Sequence, residues 1–546
     1  MGLVVVGRKG KVALAAAGLI SAVLQAGTAQ ATPFISGGTL LVSGSTYDNS
    51  QGAVASLGVG TTLAGSATTT SKAVAGNDYT TVWNNSTPDS SFGVTSPIFL
   101  QNLNTSGTVL NALTIPTSQV VTSFPSKSEL GLNISPDGKS VSFMGYAGAG
   151  VGALDVSNSD AVVGQDPTNP VTHAFGSNYA FARTIVTVNA DGTINYTPTV
   201  NYGGNNGRSA LLGPNGLYYT AGNANNGNAA TFGPGNGTNP DVTKTTGIEV
   251  VSPINGATAS VAIPANNSAE INPLLQDTFP GKAPDKPGKD DNFRGLTEYN
   301  GALYFTKGSG SNGIDTVYTA SNPGGALPTV ATAASSTISI LPGFPTDSAK
   351  ATGGDFTPFG IFFVNPTTIY VADEGSGDST DASSHAGLGK WSYVCNGLLC
   401  SWQLDYTLRN GLIGTTYTLA NAFGNDPYAT VTTAGLRNIT GSINADGTVT
   451  IWGVTSTLSS SGDNGADPNE VVMITDLISA TSLPLAESFS VFEGPQYGTV
   501  FRGVAFATTP ETSTIFLFVA GFSGLTILRR RSSKSDCRAP SPRQAA

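Results

Sequence analysis

The chain has 546 residues, with 25 Lys or Arg against 35 Asp or Glu and a formal net charge of −10. Charged residues make up only 11% and Gly occupies 68 positions, a composition poor in helix formers and rich in turn formers. So acidic a chain is badly suited to nucleic acid or anionic lipid, whose binding depends on Lys and Arg neutralising phosphate.

In chain order, the first predicted element is an export signal. Arg8, Lys9 and Lys11 form a basic start, Val12 to Leu24 an apolar stretch and Ala29-Gln30-Ala31 a small-residue cleavage site. Together they predict a signal peptide over 1–31 and a mature chain beginning near Thr32, secreted to the cell surface or outer envelope.

From 32 to 508 a β-strand unit recurs. Its clearest part is a strongly β-forming second strand behind a tight turn. Val141 to Tyr146 follows Asp137-Gly138, Leu217 to Ala221 follows Asn215-Gly216, and Ala302 to Lys307 follows Asn300-Gly301. Thr368 to Ala372 follows Asn365-Pro366, and Thr448 to Val454 follows Asp446-Gly447. Asp-Gly and Asn-Gly supply the positive φ that two-residue hairpins need. Third strands are expected at Thr184 to Val188, Ile248 to Val251, Asp315 to Thr319, Lys390 to Val394 and Val471 to Thr475. Fourth strands are expected at Thr193 to Pro198, Ala257 to Ile263 and Trp402 to Leu408.

Four strands per repeat predict an all-β propeller. Phe501 to Ala507 reads as a first strand lacking a second, and Thr39 to Gly44 as a second strand lacking a first. Pairing the two completes a blade and closes a ring of six, or of seven if Thr46 to Ser96 holds a further unit. Ile134-Ser135-Pro136-Asp137-Gly138-Lys139, Gly204-Asn205-Asn206-Gly207-Arg208-Ser209, Phe293-Arg294-Gly295-Leu296 and Tyr370-Val371-Ala372-Asp373 followed by Gly389-Lys390-Trp391 carry a further likeness. In these motifs the chain resembles a group of exported bacterial β-propellers that has a fold to lend but no activity.

Cys395 and Cys400 flank Asn396-Gly397-Leu398-Leu399 between two strand-like segments. A turn at Asn-Gly brings the thiols together, and an oxidising compartment favours a disulfide.

Four of the six arginines between 32 and 508 share one slot at the start of a first strand: Arg208, Arg294, Arg437 and Arg502. First strands line a propeller's channel, so the four predict a cationic collar. Such a collar either binds a carboxylate, sulfate or phosphate through forked contacts, or locks neighbouring blades by pairing with their carboxylates and carbonyls. Glu129 aligns with the same slot in another repeat. The loops after second strands offer a second candidate. Asp373, Glu374, Asp378 and Asp381 in one, and Asp463, Asp467 and Glu470 in another, present hard oxygens suited to calcium. Only His173 and His385 exist, which excludes a three-histidine zinc site.

The reading is therefore a surface module binding an extracellular carbohydrate, peptide or small anion, more in keeping with a non-enzyme. The alternative is a calcium-dependent propeller hydrolase of lactonase or esterase type.

At the end of the chain, Thr512 to Leu528 is apolar and Arg529, Arg530 and Arg531 follow at once. As a helix this stretch is ~25 Å long, enough to approach a bilayer span with the arginines inside. Pro510-Glu511, the apolar stretch, Gly521, Gly524 and the arginines resemble the PEP-CTERM sorting signal, which implies processing by an exosortase. The segment 509–531 is thus expected to be a membrane or sorting segment, and 532–546 a disordered tail.

Overall fold

The computed structural model describes residues 33–508 except 49, 59, 64–70, 76–82, 86–92, 155, 160–180, 225–245, 273–290, 309–312, 349–355, 376–384, 420–429 and 461–463. The expected signal peptide and sorting tail, together with His173, Asp378, Asp381 and Asp463, lie outside the described residues.

Six antiparallel sheets form the blades of a β-propeller. Blade 1 runs, from the axis outward, Thr499–Ala507, Thr39–Thr46, Ile98–Leu103 and Val109–Thr114. Its first two strands come from opposite ends of the chain and pair from Thr39 with Ala507 to Thr46 with Thr499, the closure expected from the sequence. Blade 2 has Asn133–Ile134, Ser140–Ala147, Arg183–Asn189 and Ile194–Thr199, and blade 3 has Gly207–Leu212, Tyr218–Gly222, Gly247–Val251 and Ser268–Glu270. Blade 4 has Leu296–Tyr299, Ala302–Lys307, Ile314–Ser321 and Thr337–Ile340. Blade 5 has Pro358–Asn365, Thr368–Asp373, Gly387–Asn396 and Leu399–Leu408, and blade 6 has Val431–Ile443, Thr448–Leu458, Val471–Leu477 and Ser490–Glu493.

A seventh blade has no place in this ring. Thr46 and Ile98 bound the second and third strands of blade 1, so the stretch between them is a connection within one blade. Its described residues include a small sheet of Thr62–Leu63, Ser71–Ala75 and Trp83–Asn85. One strand expectation also needs correcting. The fourth strand of blade 3 is Ser268–Glu270, not Ala257 to Ile263. Gly256 and Tyr196 exchange backbone hydrogen bonds of 2.9 Å, which draws the preceding loop onto blade 2 before the chain returns to its own blade.

The core lies between blades as a separate apolar layer at each junction. Met144 and Ile185 of blade 2 meet Ala210 and Tyr218 of blade 3. Tyr219 and Ile248 meet Phe305 and Tyr318 of blade 4. Val317 meets Ile369 and Val371 of blade 5, and Tyr370 and Leu388 meet Ile451 and Ile474 of blade 6. Val454 and Trp452 meet Leu40 and Phe506 of blade 1, and Leu41 and Leu100 meet Val141 and Phe143 of blade 2. Each alternating strand thus buries both faces, one against each neighbour.

The same topology makes the two faces of the disk unequal. Turns from first to second strand and from third to fourth lie on one side, which we call the turn face. Connections from second to third strand and from blade to blade lie on the other, the arginine face, where the first strands begin.

Candidate functional site

The first strands approach so closely around the axis that small residues are required. A Cβ built on Gly295 falls 1.8 Å from the carbonyl oxygen of Phe359 in blade 5, and one on Gly503 falls 2.4 Å from that of Leu130. Gly131 donates to the Arg208 carbonyl at 3.1 Å, and Gly360 lies against the Arg437 carbonyl. These contacts define one slot per blade: Leu130, Arg208, Arg294, Phe359, Arg437 and Arg502. The alignment of Glu129 is therefore shifted by one; Leu130 fills the slot, with φ of 60°.

All four collar arginines are buried, and each reaches a neighbouring blade or the segment leading into it. Arg502 donates to the carbonyls of Phe124 and Gly465, both at 2.6 Å. Arg208 donates to Asn292 Oδ1 and, at 2.7 Å, to the Phe293 carbonyl. Arg294 donates to Ser128 Oγ at 2.6 Å and lies 3.8 Å from Glu374 Oε1. Arg437 Nε meets Glu374 Oε2 at 3.2 Å.

Glu374 is the hub. Lys127 Nζ approaches its Oε1 at 2.9 Å, so one carboxylate on blade 5 faces cations from three other parts of the ring. Burial alone would raise this carboxyl group, but Lys127, Arg294 and Arg437 hold it down to about 2. Lys127 has a side chain 38% exposed, the least buried of the group, while its ammonium end is seated on Glu374. Burial lowers its ammonium to about 8, with Arg294 and Arg437 adding to the effect and Glu374 opposing it. Arg208 falls to about 9 through burial and the neighbouring Arg294 charge. Its Nε has no hydrogen-bond partner, and among the described residues no carboxylate stands within ion-pair distance of it.

Glu129 is a saturated acceptor. It receives Thr122 Oγ1 at 2.5 Å, Tyr146 OH at 2.6 Å, the Ser123 amide at 3.0 Å and Asn206 Nδ2. Burial, then Glu129 itself, pushes the Tyr146 phenol well up, keeping it a donor. The central group thus holds Lys127 and four arginines against Glu374 and Glu129, with the Lys307–Asp315 ion pair of blade 4 beside Arg294, an excess of positive charge at the middle of an acidic protein.

The candidate calcium residues are placed differently from one another. Asp373 accepts the Thr357 amide at 2.7 Å, Thr357 Oγ1 at 2.5 Å and the Gly375 amide at 2.8 Å. Burial raises it to about 6 against those bonds. Glu374, the next residue, points its oxygens at the cations just described. In the other loop Asp467 accepts Ser459 Oγ at 2.6 Å, and burial raises Glu470. Among the described residues no group of three or more His, Cys, Asp or Glu side chains is arranged to hold a metal ion. His385 lies against the rings of Phe356 and Trp391.

Beyond the collar, toward the turn face, the channel opens into a cavity of about 270 Å³ whose lining includes Leu211, Glu298, Phe362, Thr440 and Phe506. Several polar groups on its wall stitch strands together. Asn133 Nδ2 donates to Ser209 Oγ at 2.8 Å, Glu298 Oε1 accepts the Gly301 amide at 2.7 Å, and Asn438 Oδ1 accepts the Val504 amide at 2.8 Å.

The repeat does not mark Lys127, which sits outside the recurring slot. Its only signal is a position two residues before Glu129. Arg183 also lies outside that slot. It gives its guanidinium to the carbonyls of Ser157, Ser159 and Asn205 and covers the Tyr146 ring at 4.9 Å, fixing two loops of the arginine face.

No protein-family model matches the chain, and no curated protein matches it. Among solved structures it is similar to the N-terminal domain of Nup159, at 8% identity and a TM-score of 0.24, covering 75% of this chain and 86% of that one. It is also similar to a polysaccharide lyase, an ulvan lyase, at 11% identity and a TM-score of 0.27, covering 86% and 97%. The same lyase bound to -[GlcA(1-4)Rha3S]- gives 11% identity and a TM-score of 0.28 over the same shares.

Proposed function

We propose that the chain is an exported binding module: a rigid six-bladed ring that takes a ligand bearing an acidic group on its arginine face. The observation that carries this reading is the excess of buried positive charge at the axis. Lys127 is its solvent-exposed edge, and the buried Arg208 guanidinium of the collar adds charge that no carboxylate among the described residues pairs. A carboxylate or sulfate arriving there gains charge-assisted hydrogen bonds in a site where low polarity strengthens them.

The connections agree with this. Those from Ala147 to Arg183, from Gly222 to Gly247 and from Glu270 to Leu296 all leave on the arginine face. The ring supplies a stiff base and the loops supply contacts, the usual division in scaffolds that carry binding sites. The remaining collar bonds run from blade to blade, which favours a scaffold over a reacting centre.

Titration calorimetry with sulfate, an oligogalacturonate, an acidic peptide and a neutral oligosaccharide tests this. The acidic probes are expected to bind, more weakly as salt rises, and Lys127→Ala is expected to lose at least tenfold in affinity for them. Equal binding of neutral and acidic probes, no binding of any, or an unchanged affinity in Lys127→Ala would overturn the proposal.

A further inference from the structure

The large apolar side chains left in solvent are distributed unevenly, and they sit on blades 5, 6 and 1. The extreme case is the hairpin joining the two outer strands of blade 5. Cys395 and Cys400 face each other across it and are joined by a disulfide. The turn residues are Gly397, with φ of 68°, and Leu398, one position later than the Asn-Gly turn expected from the sequence. Leu398 is 101% exposed and Leu399 82%. No charged residue occurs between Lys390 and Asp405. Val109 and Leu110 on blade 1, and Ile443 and Leu477 on blade 6, are also exposed and stand at turns of the same face.

That face is also where the described chain ends. The amide of Gly38 donates to the Ala507 carbonyl at 2.7 Å, and the Thr508 carbonyl lies 3.7 Å from the Cβ position of Gly138, in the first turn of blade 2. From Thr508 to Thr512, where the apolar stretch of the sequence starts, a fully extended chain reaches at most ~14 Å.

We infer that the turn face rests against a lipid bilayer, with the disulfide-closed Leu398-Leu399 hairpin as its contact. The inference relies on the reading of Thr512 to Leu528 as a membrane segment: a tether this short keeps the turn face beside that membrane, and the exposed Asp137, Lys139, Asp191 and Asp446 of other turns leave the apolar side of blades 5, 6 and 1 to tilt onto it. Two further observations select the occupant. The tip carries no charge and the protein is acidic, which suits insertion into a neutral lipid surface and not electrostatic attachment. Two leucines on a narrow hairpin cover far less than the ~800 Å² per partner of a stable dimer. The disulfide keeps the tip from fraying when it is withdrawn from water. In this orientation the arginine face points away from the membrane.

The full chain is reconstituted into vesicles of brominated phosphatidylcholine and washed with alkaline carbonate, and the emission of Leu399→Trp is compared with that of Ser460→Trp on the arginine face. Of the four native tryptophans those at 391, 402 and 452 are buried, and the parent chain, which carries all four including Trp83, supplies the background to be subtracted. Retention of the chain with strong quenching at 399 and none at 460 is the expected result. Retention without quenching at 399 overturns the contact while leaving the membrane segment in place. Release by carbonate removes the membrane segment and the proposal with it.

Discussion

Replacing Glu374 with Gln leaves Lys127, Arg294 and Arg437 around a neutral amide, with like charges facing one another in a buried space. Two independent magnitudes agree on the cost. The drop of the carboxyl group from 4.5 to about 2 corresponds to ~3 kcal/mol in favour of its charged form. Removing one partner from a buried ion pair costs about 3–5 kcal/mol. Because the folded value lies below the unfolded one, this stabilisation is complete above pH 4.5 and fades as pH falls toward 2. Urea unfolding of the parent chain and Glu374→Gln, repeated from pH 7 down to 2.5, should show a stability gap of ~3 kcal/mol that closes across that window. Sulfate should restore part of the loss in the variant at pH 7, since an anion bound to the folded state stabilises it by mass action. A gap under ~1 kcal/mol at pH 7, the worth of an exposed pair, or one that does not change with pH, would refute the assignment of Glu374 as the counter-ion of the collar.

Three other outcomes follow from the geometry. Glu249 is fully buried with neither carboxylate oxygen hydrogen-bonded, and burial, then Glu270 and Asp291, push it well up. A raised folded value makes the parent lose stability as pH rises from acid toward neutral, so Glu249→Gln should flatten that slope and gain about 1 kcal/mol or more at pH 7, read by thermal unfolding. Gly295→Ala sets a methyl group against the Phe359 carbonyl and should cost about 3 kcal/mol or prevent ring closure, visible as a lower urea midpoint or loss of soluble protein. Reducing Cys395–Cys400 opens a loop of only a few residues, so it should cost no more than ~2 kcal/mol. Hydrogen exchange should speed up at the tip without spreading into the other blades.

The ring was legible because its signals are local and repeated. Asp137-Gly138, Asn215-Gly216, Asn300-Gly301 and Asp446-Gly447 each mark a first-to-second turn, with φ of 69°, 76°, 78° and 85° at the glycines. The unmatched strands at the two ends could pair only with each other. The fourth strands were harder to read, being short and on the rim, where fewer buried residues enforce alternation. Ser268–Glu270 keeps only three residues. At the site, repetition revealed the arginines but not their counter-ion. Glu374 reaches the axis from the end of a second strand, and Lys127 from the segment before blade 2. Their meeting is set by closure of the ring, a relation between residues 247 positions apart. The one-residue error at Glu129 has the same origin, because only contacts across the axis show that Leu130 is the residue in register.

A blade whose strands run in sequence from the axis outward must place two of its connections on each side of the disk. In this chain the sides have been used differently. The turn side keeps mostly short hairpins, with Asp137-Gly138 and Gly397-Leu398 among them, and carries exposed leucines. The arginine side receives the long connections and the charged centre. A short tether holding one side to a surface would give the other side its freedom. The cationic collar can then serve two ends with one set of bonds: Glu374 and the loop carbonyls neutralise enough of it to close the ring, and the uncompensated remainder, nearest Lys127 and Arg208, is left for an anionic guest. Since both uses draw on the same charges, a ligand that binds there should also raise the unfolding temperature of the whole ring. By mass action the size of that rise follows the affinity, so at a fixed sulfate concentration it should shrink in Lys127→Ala in step with the binding lost there.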